Sequence, residues 1–189
     1  MKHTVFLVML LGWAIDSAKA IVTSDEFGSH VVTPGEPSFG VNTDGVVMVG
    51  ALLGPGEPVS GCSGALITDR HVLSAAHCFD EDQDGQVDPF LGFFPHEIVF
   101  ELADGLVAIE YELDSIRWPD AWPTSSVDLA VVTLTADAPA SVPRYPLYGA
   151  HDEVGQPVVL VGYGNPGHGA TGEGSEARPT KRAGLNRYE

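Results

Sequence analysis

Residues 62–79 read CSGALITDRHVLSAAHCF, and this stretch says more about the fold than any other part of the chain. Its apolar, β-favouring residues are interrupted by one polar turn, which is typical of short strands. A helical turn over Ser74–Cys78 is expected to carry His77. Because Cys62 and Cys78 are the only two cysteines of the sequence, one disulfide between them would hold that imidazole at the neck of a small loop.

The first twenty residues have the pattern of an export signal. The apolar run Val5–Ile15 follows a short polar start, and Ala18-Lys19-Ala20 has the small-x-small form of a cleavage site. The run is shorter than the roughly 20 residues of a membrane-spanning helix, although an uncleaved N-terminal anchor is the alternative. We therefore predict a signal peptide over residues 1–20 and a secreted protein, extracellular or periplasmic, in which the Cys62–Cys78 disulfide forms. No further Cys or His lies at zinc-ligand spacing from this pair, so a zinc site is not expected.

The charge balance excludes two classes of partner. The chain has 26 Asp and Glu residues against 9 Lys and Arg, for a net charge of −17. Such a surface repels nucleic acid and anionic membranes, so we expect neither nucleic-acid binding nor membrane association after signal removal. The acidic residues are scattered through a chain of ordinary apolar content, which indicates a solvated acidic surface rather than disorder.

The pattern along the chain predicts an all-β fold. Short apolar runs alternate with Gly, Pro and Asp turns, and no long amphipathic helix is present in the pattern. The expected strands are 46–53, 62–68, 97–102, 106–113, 128–134 and 157–164. We divide the chain after the signal into an N-terminal segment (21–45), a first β-barrel (46–137), a proline-rich linker (138–148) and part of a second barrel (149–189).

Two residues are candidates for catalysis. His77 carries an imidazole in a rigid setting, and a general base needs both. Asp128 opens an apolar strand, where a carboxylate needs a partner for its charge, such as the Nδ1–H of a histidine. The alternatives are a core histidine satisfied by backbone groups and an aspartate that only caps its strand.

The block at 62–79 resembles the segment around the general-base histidine of trypsin-like (chymotrypsin-fold) serine proteases, in which Ser-Ala-Ala-His-Cys recurs. Residues 128–134 (DLAVVTL) are similar to the block around the orienting aspartate of that family, and 161–164 and 181–186 resemble the opening strands of its second barrel. The resemblance implies a chymotrypsin-like double β-barrel, with the first barrel complete and the second truncated. It also implies peptide-bond hydrolysis of protein or peptide substrates, without a required cofactor, with His77 as base and Asp128 as its partner.

The sequence departs from the family at the nucleophile. Gly-Asp-Ser-Gly-Gly, which the family carries roughly 90 residues after the aspartate, does not occur in the sequence. Ser175 lies in the nearest imitation, but it precedes the expected position and is followed by a glutamate. We therefore expect the N-terminal portion of a secreted trypsin-like serine endopeptidase that is inactive alone. The alternatives are a non-catalytic, protease-like binding module and a truncated reading frame that folds poorly, because half a barrel leaves unpaired edge strands.

An acidic loop follows the histidine. In DEDQDGQVD (residues 80–88), Asp80, Asp82, Asp84 and Asp88 occupy positions 1, 3, 5 and 9 of an EF-hand-like pattern, with Gly at position 6. Position 12 is a leucine instead of the usual bidentate glutamate. The pattern predicts a weak Ca²⁺ site, and an Asp-rich turn that binds no ion is the alternative.

Overall fold

The computed structural model describes residues 20–23, 29–52, 58–88, 95–125, 127–163, 165–168, 172–173 and 180–188. Twelve strands lie within these residues, together with two 3₁₀ turns at Ala76–Cys78 and Leu113–Ser115. The strands are β1 (Ala20–Thr23), β2 (Ser29–Val31), β3 (Val46–Leu52), β4 (Pro58–Leu66), β5 (His71–Ser74), β6 (Glu97–Leu102), β7 (Gly105–Glu110), β8 (Ala130–Thr133), β9 (Pro157–Gly162), β10 (Asn165–His168), β11 (Gly172–Glu173) and β12 (Arg182–Arg187). The predicted all-β class is confirmed. In the described part of the chain, no helix has the length and apolar character to cross a membrane.

Six strands form one antiparallel sheet in the order β7-β6-β3-β4-β5-β8. The residues that follow the two edge strands, β7 and β8, are hydrogen-bonded to each other. Tyr111, after β7, bridges Leu134, after β8, and the N–H of Thr135 donates to the carbonyl oxygen of Glu110 at 2.9 Å. The sheet thus curls back on itself around one apolar core, which includes Val47, Leu66, Val72, Ile98, Phe100 and Val132.

Strand β3 is buried on both of its faces, which explains why its sequence is continuously apolar rather than alternating. Val47 and Val49 face the core of the six-stranded sheet. Met48, on the opposite face, packs with Val99 and Tyr163, and Tyr163 comes directly after β9. Strand β3 therefore joins the core of the first sheet to the second part of the molecule.

Gly64 in β4 is required by the close packing of its neighbours. A Cβ at this position would lie 2.6 Å from Val72 Cγ1 and 3.2 Å from Val47 Cγ2. Both valines are fully buried and stiff at χ1, so they cannot move aside cheaply. We expect Gly64→Ala to lower the free energy of unfolding by about 2 kcal/mol, measured by urea denaturation. Gly149→Ala, where the added Cβ meets nothing within 4 Å, is the matched control. Equal midpoints for the two variants would contradict this packing.

The second part of the molecule contains two smaller sheets. Strand β12 lies between β2 and β9 and runs antiparallel to both. Strands β1, β10 and β11 form the other sheet, in which β1 and β10 are parallel. The sequence predicted no strand for residues 21–45, yet β2 and most of β1 lie there. Both strands are short and take their places from distant partners, β10 for β1 and β12 for β2. Residues 1–19 lie outside the described part, so the signal peptide stays a prediction.

The proline-rich segment 138–148 contains no strand, in agreement with its composition. It is nevertheless held against the first sheet. Ala138 and Val142 are buried in the core, and the Arg144 guanidinium donates to the carbonyl oxygen of Ala138 at 3.1 Å and to Asp69 Oδ1 at 2.8 Å. Asp69 lies in the polar turn between β4 and β5. The segment is therefore an anchored connection and not a loose spacer.

Candidate active site

The pairing of β5 with β8 places His77 next to Asp128. These strands run antiparallel with Ser74 opposite Ala130. His77 follows Ser74 by three residues, and Asp128 precedes Ala130 by two, so both residues lie at the same end of the strand pair. Asp128 was predicted to begin its strand, but the ladder begins at Ala130. Free of the ladder, Asp128 can turn its side chain toward the histidine.

Both oxygens of the Asp128 carboxylate bind His77. The His77 Nδ1–H donates to Oδ2, and the backbone N–H of His77 donates to Oδ1 at 2.9 Å. The side chains are 22% (His77) and 14% (Asp128) exposed, so the pair is shielded without being closed off from solvent. The backbone contact fixes the carboxylate relative to the turn that carries the ring. Sequence reasoning predicted the side-chain contact but missed the backbone one.

This arrangement determines which nitrogen can act as a base. A carboxylate that accepts from Nδ1–H keeps the neutral ring in one tautomer and leaves the lone pair of Nε2 available. The imidazolium that forms when Nε2 takes a proton is stabilised by the same carboxylate. The hydrogen positions follow from the acceptor character of Asp128. The pair therefore has the geometry of a histidine general base with its orienting aspartate.

The disulfide between Cys62 and Cys78 is present, as predicted. It connects β4 to the 3₁₀ turn Ala76–Cys78 that carries His77. Nε2 of His77 lies 3.7 Å from Cys78 Sγ and 4.0 Å from Cys62 Sγ. Ala76 and Phe79, which flank these two residues, are buried in the core. The imidazole is thus held by the core, by the sulfur bridge and by Asp128.

The hydroxyl of the serine nearest to His77 along the chain is engaged elsewhere. Ser74, the nearest serine in sequence, donates its hydroxyl to the carbonyl oxygen of Ser63 at 3.0 Å and so supports the β4–β5 pair. Ser175 lies outside the described residues.

The acidic loop is built around Asp80, which is fully buried. Its carboxylate accepts from the N–H groups of Asp84 at 3.0 Å and Gly85 at 2.9 Å, and from Trp122 Nε1 at 2.7 Å. Gly85 has φ of 85°, a left-handed conformation that the turn requires. Asp80 therefore fixes the loop to the core, a role that the sequence pattern did not indicate.

Three of the four predicted calcium ligands lie together. Carboxylate oxygens of Asp80, Asp82 and Asp88 lie within 4.8 Å of one another. The carboxylate of Asp84 instead accepts from the backbone and side-chain N–H groups of Gln86, each at 2.8 Å. Position 12 of the pattern, Leu91, lies outside the described residues. Calcium binding stays a prediction.

Solved structures similar to this one have the chymotrypsin-like fold. Human heparin binding protein matches with a TM-score of 0.55 at 19% identity over 83% of this chain. Neuropsin, a serine protease expressed in the limbic system of mouse brain, matches with a TM-score of 0.56 at 16% identity over 86% of this chain. In both cases the chain spans 63% of the length of the matched structure. No curated protein sequence matches the chain.

The family comparison agrees with the geometry. The family model for trypsin matches residues 46–180, which includes β3 to β8, both partners of the His77–Asp128 pair and the disulfide. This match covers well over half of the chain. The chain therefore belongs to the trypsin family.

Proposed function

We propose that this chain is the N-terminal portion of a secreted trypsin-like serine endopeptidase and supplies the base and the orienting acid of its Ser-His-Asp triad. The observation that carries the proposal is the double contact of Asp128 with the ring and the backbone of His77. Membership of the trypsin family supports protein or peptide substrates. The predicted signal peptide and the disulfide support secretion, because such bonds persist in oxidising compartments.

In the proposed mechanism, a serine hydroxyl from a segment that follows these 189 residues attacks the scissile carbonyl. Nε2 of His77 takes the hydroxyl proton and later gives it to the leaving amine, while Asp128 stays ionised and holds the ring. Acid–base assistance of this kind contributes about 10²–10⁴-fold to the rate. No cofactor takes part in these steps.

We further propose that the 189-residue polypeptide alone hydrolyses no peptide. A histidine and an aspartate can orient each other, but the acyl-transfer route needs a nucleophile to attack the carbonyl. The sequence has no Gly-Asp-Ser-Gly-Gly, and Ser175 is not followed by the glycine of that motif.

The second candidate function is a non-catalytic, protease-like binding module. The observation that favours it is the lack of the nucleophile motif in the sequence, and the name of one structural relative refers to heparin binding. Heparin itself is a poor ligand for this chain, because a net charge of −17 repels a polyanion. A module of this type would bind a cationic or neutral protein partner.

One measurement separates these functions, namely translation of the nucleotides after codon 189 in all three frames. A Gly-Asp-Ser-Gly-Gly about 90 residues beyond Asp128 supports the endopeptidase. A stop codon with no such motif in any frame supports the module.

The proposed inactivity of the isolated chain is tested by hydrolysis of an unfolded protein substrate by the purified chain. We expect no cleavage above that of a His77→Ala variant. Cleavage that is lost in His77→Ala would contradict the inactivity of the isolated chain, although it would still identify a His77-dependent peptidase.

A further inference from the structure

We propose that the chain contains a latent zinc-type metal site, formed by Cys62, Cys78 and His77 once the disulfide is reduced. The two Sγ atoms and Nε2 of His77 all lie within 4.8 Å of one another. Thiolate and imidazole together are the donors that Zn²⁺ favours. The sequence did not predict this site. We searched for further Cys or His residues at zinc-ligand spacing from the two cysteines, and did not consider the histidine adjacent to Cys78. The site does not depend on the proposed protease function.

The distances already approach those of a tetrahedral site. Zn–S bonds of about 2.3 Å and a Zn–N bond of about 2.0 Å place N···S edges at about 3.5 Å and the S···S edge at about 3.8 Å. The two N···S distances here are 3.7 and 4.0 Å. Only the two sulfurs need to separate, from a covalent bond to the S···S edge. A rotation of one or both cysteine side chains can supply that change without moving the strands.

Asp128 would act as the outer partner of the metal ligand. Zinc-bound histidines usually donate their second ring N–H to a carboxylate, which fixes the tautomer and raises the basicity of the ligating nitrogen. The Nδ1–H of His77 already donates to Asp128, and Nε2 lies 3.7 Å from Cys78 Sγ and 4.0 Å from Cys62 Sγ. The ring is therefore pre-oriented for metal binding through Nε2.

The chemistry requires two steps. A dithiol reductant first transfers two electrons and two protons to the Cys62–Cys78 bond, giving two thiols and the cyclic disulfide of the reductant. Zn²⁺ then displaces the two thiol protons, which pass to solvent, and binds two thiolates and the neutral imidazole. Water occupies the fourth position, as in zinc sites with three protein ligands. All three residues are partly exposed, so the ion can reach them. In the oxidised chain the sulfurs are not thiolates, and no such site exists.

The test is a titration of the purified chain with Co²⁺, followed by competition with Zn²⁺. The disulfide is first reduced with a phosphine, which does not compete as a thiol chelator. We expect one Co²⁺ per reduced chain, with the sulfur-to-cobalt charge-transfer absorption of thiolate ligation, and displacement by one Zn²⁺. The oxidised chain should show no such absorption.

Four variants test the ligand set. We expect Cys62→Ser and His77→Gln to lose stoichiometric binding, and Asp128→Ala to lower zinc affinity by about 10–100-fold. His71→Gln is the matched control, since His71 lies at the other end of β5 and its ring contacts Thr68. Near-ultraviolet circular dichroism shows whether the reduced chain stays folded or refolds with the metal.

Three outcomes would overturn the proposal. One is a reduced chain that takes up no more metal than the oxidised chain. Another is binding that is equal in the wild type, His77→Gln and Asp128→Ala, because an unfolded chain with two thiols would behave in that way. The third is a reduced chain that has lost its tertiary signal and does not regain it with zinc.

Discussion

In a polypeptide that extends through a nucleophile segment, Asp128→Asn is expected to lower kcat by about 10⁴-fold, the magnitude carried over from the Ser-His-Asp template. The asparagine amide can donate to Nδ1, which moves the ring proton to Nε2. In that tautomer His77 cannot take a proton from serine. His77→Gln removes the base altogether, and we expect a fall of about 10⁶-fold. Steady-state hydrolysis of a peptide substrate measures both.

Folding and activity must be separated in this experiment. Asp128→Asn keeps the shape of the side chain and an acceptor for the His77 backbone N–H, so its thermal midpoint should stay close to that of the wild type. His71→Gln, on the same strand, should keep full activity. The proposed triad is wrong if Asp128→Asn retains wild-type kcat, or if the two substitutions together cost the product of their separate effects, because residues that act as a unit are not additive.

Lys181→Met is expected to stabilise the protein at neutral pH by about 1–3 kcal/mol. Lys181 lies directly before β12 and is 1% exposed, with Nζ 5.4 Å from the ring centre of Tyr163 and 3.4 Å from the carbonyl oxygen of Thr43. Burial lowers the pKa of this lysine to about 8, although Glu101 and Asp44 partly oppose the change. A methionine of similar length removes the desolvation cost of the charge.

Removal of the lysine leaves neither acid without a partner. Asp44 accepts the N–H of Gly35 at 3.0 Å, and Glu101 accepts the hydroxyl of Tyr163 at 3.0 Å. The loss of the cation therefore does not create an orphaned carboxylate, which is the usual reason why such substitutions destabilise a protein. Arg187→Met, at the exposed end of β12, is the control and should change stability little.

The pH dependence of stability provides an independent check on Lys181. The pKa of Lys181 is about 8 in the folded chain and 10.5 in the unfolded chain. Between pH 8 and 10.5 the unfolded chain therefore keeps a proton on Lys181 that the folded chain has lost. The free energy of unfolding therefore increases as pH rises above about 8, and it decreases as pH falls back to that value. We expect a rise of about 2 kcal/mol between pH 8 and 10 in the wild type relative to Lys181→Met. Above pH 10 Tyr111 lowers the stability of both proteins alike, because burial raises the pKa of Tyr111 to about 12. Parallel pH profiles for the two proteins would contradict a buried, charge-bearing Lys181.

Local sequence patterns predicted the part of the fold that depends on local signals. The hairpin of β6 and β7, with its Gly105 turn at φ of 128°, follows from apolar runs around Asp-Gly. The buried strand β3 follows from its continuous apolar sequence. The disulfide could be predicted from the number of cysteines alone. These features are set by residues close together in the chain.

Features that depend on distant partners could not be predicted from patterns. Strand β2 exists because β12 provides a neighbour, and Asp80 is an anchor because Trp122 reaches it from 42 residues away. Lys181 looks like an ordinary surface lysine in the sequence, yet the fold buries it against Tyr163. The His77–Asp128 pair was predicted by resemblance, but its position follows from the register Ser74–Ala130, which no local pattern specifies.

The proton on Nδ1 of His77 is the most direct probe of the proposed pairing with Asp128. Proton NMR of the purified chain, with the imidazole nitrogens labelled, should show a strongly deshielded proton bonded to Nδ1 and an unprotonated Nε2 in the neutral ring. The signal should disappear in His77→Gln and in Asp128→Ala, and it should persist in His71→Gln. A proton on Nε2 instead, or a deshielded signal that survives Asp128→Ala, would contradict the pairing on which the proposed base depends.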